Sequence, residues 1–232
     1  MLKKIILLLA MSLLLAVPAW ANAAPNTVVQ VTGNSQKEIA PDIARIHVAI
    51  QSTQANLDKA KAENSKNVNQ VLAKLQQLGV TDEQITTDTY QISPLYNYEK
   101  DRLPVLTGYR VSQGLEIRTS LEQVGILVDE MTKAGANEIS SIRFEAADET
   151  SSKNEALKEA VADALKKADV IAASLGKKVA RITLVNESGV FYRPVMMEAR
   201  MLKAAAMDSS VPNIPAGKVT VGATVQVSVE LE

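Results

Sequence analysis

An alanine-rich helical stretch between two glycines constrains this chain more than any other feature. From Gly135 the sequence reads Gly135-Ala136-Asn137, then a strand-like run from Glu138 to Ala147, then a long helical pattern ending at Gly176. Apolar residues recur at Leu157, Ala160, Val161, Ala164, Leu165, Ala168, Ile171 and Leu175, the spacing of one helical face. Ser152-x-x-Glu155 forms a capping box that would satisfy free backbone N–H groups at the helix start. Gly176 supplies the left-handed C-cap. The alanines let such a helix lie close to what it covers, and the expected cover is a sheet containing Ile139 to Ala147 and Val179 to Val185.

The other elements follow from the same two periods. Val219, Val221, Ala223, Val225, Val227, Val229 and Leu231 alternate on one face, which predicts a C-terminal strand built into the sheet. Thr27 to Gly33 reads as a short strand ending in glycine, and Pro41-Asp42 opens a second strand from Ile43 to Ser52. A helix from Ala55 to Leu78 follows, with a polar first half expected to face solvent or another subunit. Asp82 to Tyr96 and Gly108 to Thr119 read as the arms of a long hairpin, with Pro94 ending the first arm's pairing. Ser120-x-x-Gln123 opens a shorter helix that closes at Gly135. Strand, helix and strand thus occur twice, over 43–96 and 108–147. The expected fold is α+β: antiparallel-rich mixed sheets covered by about three helices, with pseudo-repeated strand-helix-strand units.

The first 23 residues stand apart. Lys3 and Lys4 precede an apolar run from Ile5 to Val17, and Ala19-Trp20-Ala21 and Ala21-Asn22-Ala23 are small-x-small cleavage sites. This is the pattern of a secretory signal peptide cut after Ala21 or Ala23, leaving 24–232 as the folded domain. Without Lys3 and Lys4 the chain holds 23 basic and 26 acidic residues, a net charge of −3. No basic patch stands out, so nucleic acid is not an expected partner. No later run is apolar enough for a stable membrane span, and the expected location is the periplasm. Cysteine is absent, so no disulfide and no thiol chemistry is available.

Chemical motifs are scarce. The chain lacks G-x-S-x-G, H-E-x-x-H, a glycine-rich phosphate loop and a calcium loop, so no catalytic residue and no cofactor is assigned and the chain is read as non-enzymatic. His47, the one histidine, lies on the polar face of its strand with no acid nearby in sequence and reads as a surface residue. The stretch 187–218 reads as an irregular, methionine-rich connection holding Met196, Met197, Met201 and Met207. Three readings stay open for it: an adaptable interface that includes Phe191, Tyr192, Met196, Met197 and Met201; a loop of no special role; or thioethers that bind Cu(I) or absorb oxidant.

Several short motifs occur together along the chain. They are Gly33, Pro41-Asp42, Thr86-Thr87 before Tyr90, Ile92-x-Pro94-x-Tyr96, Gly108-Tyr109-x-Val111, Gly135-Ala136-Asn137 before Ile142-x-Phe144, the alanine-rich helix, and Pro215-Ala216-Gly217 before the last strand. In this order and spacing the sequence resembles the SIMPL-domain proteins, a bacterial periplasmic group that includes oxidative-stress defence and immunogenic proteins. The resemblance implies an α+β domain, a periplasmic location, homo-oligomers and a link to lowering oxidative damage, with no catalytic residues to carry over. The expected function is therefore an exported, self-assembling protein that helps defend the envelope against oxidative stress. Methionine-based scavenging or Cu(I) binding, and a small-ligand binding domain, are the alternatives.

Overall fold

The computed structural model describes residues 27–99, 102–198 and 214–232. The leader with its candidate cleavage sites, together with Met201 and Met207, lies outside these residues. The described chain forms two antiparallel sheets and three α-helices, an α+β fold as the sequence implies.

The five-stranded sheet holds the doubled unit. β2 (Ile43–Gln54), α1 (Leu57–Gln77), β3 (Ile85–Asn97), β4 (Val105–Ser120), α2 (Val124–Ala134) and β5 (Glu138–Glu145) follow in chain order. With β7 (Val195–Glu198) the spatial order is β3-β4-β2-β5-β7. Each helix therefore crosses over one intervening strand, the split β-α-β arrangement. The face under α1 and α2 is closed by Ala44, Ile46, Val48 and Ile50 of β2, Leu115 and Ile117 of β4, Ile142 and Phe144 of β5, and the helix residues Val68, Val71, Leu75, Leu127 and Met131.

Two local expectations change here. The polar first half of α1 does not project into solvent: Asn64 is 1% exposed, and its Nδ2 donates to the Ile50 carbonyl at 2.7 Å. An amide reads as polar in sequence, yet it can enter a core where it meets backbone carbonyls that can accept from it. Pro94 does not end β3, which pairs on to Asn97. β3 is an edge strand, where the missing N–H of proline costs no ladder bond.

The three-stranded sheet joins the two ends of the described chain. β1 (Thr27–Ile39) and β8 (Val219–Leu231) pair without a register break, and β6 (Val179–Arg193) lies on the other side of β8. β6 runs on to Arg193, well beyond the run Val179 to Val185 read from sequence. α3 (Glu149–Ser174) covers this sheet through Ala156, Ala160, Ala164, Ala168 and Ala172, a row of alanines at every fourth position. Leu157, Val161 and Leu165 pack beside the row, half-buried, whereas Ile171 and Leu175 are exposed. The helix starts one turn earlier than its capping box suggests. Asp148 is the N-cap, its Oδ1 accepting from Ser151 N at 2.8 Å.

The alanine row makes room for a close approach that explains Gly33. This residue lies inside β1, not at its end. A Cβ there would lie 2.0 Å from the Ala160 carbonyl oxygen and 2.7 Å from Ala164 Cβ. Alongside it the Ser35 hydroxyl donates to the Ala156 carbonyl at 2.6 Å. Asp163 and Lys167 reach over the edge of β1: Asn34 N donates to Asp163 at 2.9 Å, and Lys167 Nζ donates to the Thr32 carbonyl at 2.9 Å. The middle of this edge is thereby kept from pairing with another strand.

Candidate functional site

Among the described residues no helix covers the second face of the five-stranded sheet, and the polar side of β2 looks out from it. Arg45 is held between two carboxylates: Nε donates to Glu145 at 2.8 Å and Nη1 to Glu116 at 2.5 Å. These bonds, that to Glu145 first, raise the guanidinium pKa above its ordinary value, while partial burial works against them. Arg118, Arg45 and Arg143 stand in one cross-strand row, and the two glutamates offset the repulsion.

His47 departs from the surface role read from sequence. Its side chain is 20% exposed and sits between acids from two other strands. Nδ1 lies 3.1 Å from Asp88 of β3, and Nε2 lies 3.0 Å from Glu116 of β4. Both acids are far away in sequence, so only the strand register brings them to the ring.

Two β-bulges flank this point. The β3–β4 register slips between Thr87 and Thr89, which leaves Asp88 outside the ladder. The β2–β5 register slips opposite His47 and Val48, which leaves Ser140 outside it. A bulge re-aims the residue it expels. Asp88 leans over Gly114, where a Cβ would come within 2.2 Å of its Oδ1. Between the bulges lies an open cleft of about 330 Å³. Its floor is small, with Ala49 and Gly114, and its walls are polar, with His47, Asp88, Ser112 and Glu138. Gln51 Nε2 donates to the Glu138 carboxylate. No set of three or more His, Asp or Glu side chains among the described residues is arranged to hold a metal ion. No short sequence motif announces this cleft, because its residues come from four strands.

A second surface lies at the end of the same sheet. β2 pairs with β4 only as far as Gln54 and Tyr109, whereas β3 and β4 pair on to Asn97 and Val105. The excess is a two-stranded arm. Tyr96 and Tyr98 sit on it with ring centroids 6.4 Å apart. They and Leu103, Val105 and Leu106 are all exposed. Apolar groups gathered this way on a protruding hairpin lack the cover that a core gives.

Of the residues singled out in the methionine-rich stretch, those described lie on β6 and β7 and do not line the cleft. The Phe191 ring covers Gly222, where a Cβ would lie 2.4 Å from Phe191 Cζ, and the Arg193 guanidinium stands 4.8 Å from the ring centre. The Tyr192 hydroxyl accepts from Ala146 N at 2.6 Å and so ties the three-stranded sheet to the end of β5. Burial, more than any charge, raises its pKa. Met196 is exposed on β7, opposite Arg143, and Met197 pairs in register with Ile142.

Comparison with known proteins agrees with the motif pattern. Residues 29–229 match the SIMPL family model, described as a protein of unknown function (DUF541). The 26 kDa periplasmic immunogenic protein of Brucella melitensis is 30% identical over 212 residues, covering 88% of this chain and 84% of the relative. The uncharacterized protein YggE of Escherichia coli K12 is 28% identical over 205 residues, covering 88% and 82%. YggE of Edwardsiella ictaluri is 24% identical over 178 residues, covering 76% and 74%. None of the described helices is long and apolar enough to cross a membrane. The family match spans nearly all of the described fold, from β1 to β8, and the chain belongs to the SIMPL family.

Proposed function

We propose that this protein works in the periplasm without catalysing a reaction, that it self-assembles through the β3–β4 arm, and that the assembly helps defend the envelope against oxidative stress. The arm is the observation that carries the reading. It places Tyr96, Tyr98, Leu103, Val105 and Leu106 in solvent beyond the sheet. The edge of β3 runs beside it, so two copies can meet antiparallel with the same patch on each side. The location rests on the secretory leader and on a Brucella relative named as periplasmic. The part in oxidative defence rests on the family resemblance.

Light scattering tests the assembly. The protein is expected to associate at micromolar concentration, and a combined Tyr98→Ser, Leu103→Ser, Leu106→Ser variant is expected to be monomeric with an unchanged melt. A monomeric wild type would overturn the assembly. Cells lacking the protein are expected to survive peroxide less well, with rescue by the wild type and not by the arm variant. Equal survival of all strains would overturn the defensive role. Exposed Met196 favours a second reading, oxidant scavenging or Cu(I) binding by sulfur. It requires that leucine at 196, 197, 201 and 207 abolish the rescue.

A further inference from the structure

One buried donor on the open face of the five-stranded sheet lacks an acceptor. Arg143 of β5 has two cross-strand neighbours, Arg45 of β2 and Met196 of β7. Residues opposite one another in a ladder share a face, so the three side chains stand in one row. Arg143 Nη1 lies 3.5 Å from Glu145 Oε1, but that carboxylate already accepts from Arg45 Nε at 2.8 Å. Arg143 holds the weaker share, and its Nε is buried with no hydrogen-bond partner among the described residues. A buried donor in this state calls for a physical reason.

The neighbour on the β7 side supplies one. Met196 is 53% exposed, whereas Met131 is 0% exposed in the core, so an oxidant in solution reaches the first and not the second. A thioether is a weak acceptor and does little for Arg143 Nε. Hydrogen peroxide or another hydroperoxide changes that. The sulfur attacks one peroxide oxygen, the O–O bond breaks and an S–O bond forms. Sulfur gives up two electrons, and the departing hydroxide takes the proton of the transferred oxygen and leaves as water. The polar product oxygen then sits on the strand neighbour of an unsatisfied donor.

We propose that Met196 is a redox site whose sulfoxide oxygen accepts from Arg143 Nε, so that oxidation fastens β7 to β5. β7 has four residues and pairs only with 141–144 of β5 among the described strands, so one added bond is a large share of what holds it. Methionine oxidation ordinarily sets a polar group where an apolar one packed and weakens a fold. Here the sign is reversed. The proposal is independent of assembly through the arm, and of the scavenging reading it keeps only that oxidant reaches this sulfur.

Peroxide treatment of the purified protein tests it. Met197→Leu, Met201→Leu and Met207→Leu are combined, which leaves Met196 and Met131 as the methionines beyond the leader. Peptide mass spectrometry is expected to find one added oxygen on Met196 and none on Met131. The oxidised protein is expected to melt about 2–4 °C above the reduced one, the effect of one hydrogen bond in a chain of this length. Methionine sulfoxide reductase is expected to return the melt to its starting point. Arg143→Lys keeps the charge and removes the Nε donor; in this background it is expected to leave oxidation of Met196 intact and abolish the rise. Met196 left unoxidised, or an oxidised protein that melts no higher, overturns the proposal. So does the same rise in a folded Arg143→Lys protein. If Arg143→Lys does not fold, Met196→Leu decides in its place: peroxide must then leave the melt unchanged, and a rise without Met196 overturns the proposal. Oxidation without the rise would leave scavenging standing and remove this proposal alone.

Discussion

Asn137 completes a rung of the ladder that β5 leaves open on β2. Its Oδ1 accepts from Gln51 N at 2.9 Å, and its Nδ2 donates to the Gln51 carbonyl at 2.7 Å. One side chain thus does what the next residue of a neighbouring strand would do. Asn137→Ala removes both bonds and is expected to cost about 1 kcal/mol, since the pair is exposed and water replaces part of it. Asn137→Asp keeps the acceptor, loses the donor, and sets a charge against the Gln51 carbonyl, so it should do no better than alanine. Urea denaturation of both variants is the check.

The approach of α3 to β1 makes Gly33 intolerant of any side chain. Gly33→Ala drives a methyl into the backbone of Ala160, which cannot turn aside as a flexible side chain would. The expected loss is about 3 kcal/mol, at the upper end of overpacking costs. Leu165→Ala, one turn along the same helix, gives the contrast. Full burial would imply about 2–5 kcal/mol, but Leu165 is half-buried, so about 1–2 kcal/mol is expected. Parallel thermal melts should rank glycine above leucine.

Asn64 reaches from α1 to the Ile50 carbonyl within the core. Asn64→Leu fills a similar volume but removes the bond to the Ile50 carbonyl, at an expected cost of about 1 kcal/mol. Asn64→Asp buries a negative charge beside the carbonyl and should be worse at neutral pH. Acidification should relieve Asn64→Asp and leave Asn64→Leu unaffected, which chemical denaturation at two pH values will show.

Acid should loosen the edge of β1 through Asp163. The Lys167 ammonium, and then the Asn34 N–H, hold its carboxyl below the ordinary aspartate value of 3.8. The folded state therefore releases this proton more readily than the unfolded state. Its contribution is present above the unfolded value and fades as pH falls through the lower, folded one. Asp163→Asn should be less stable than wild type at neutral pH. The difference should shrink below about pH 4, where the wild-type carboxyl itself takes up its proton. Melts across that range measure it.

The sequence carries the fold and hides the site, for a physical reason. Alternation from Val219 to Leu231 marks β8 because every inward residue is buried in one sheet face. The alanines of α3 mark a close-packed helix, and the paired strand-helix-strand units mark the split arrangement. These signals are local. His47 shows the limit: Asp88 and Glu116 reach it through the register of β3 and β4, and no spacing along the chain encodes that register. Gly33 looks like a strand end because glycine serves both turns and close contacts, and only the position of Ala160 distinguishes them. Asn64 looks solvated because polarity is visible in sequence and a waiting carbonyl is not.

The pairing of β1 with β8 has a consequence for how the molecule is made. From Thr27↔Leu231 to Ile39↔Val219, the earliest described strand finds its neighbour only in the last described one. Until then Val31 and Gly33 have no sheet to join, and the alanine row of α3 lacks most of the surface it covers. Closure must wait for β8, because contacts so distant along the chain form late. Until β8 is in place the three-stranded sheet lacks its central member, and α3 has little to settle on.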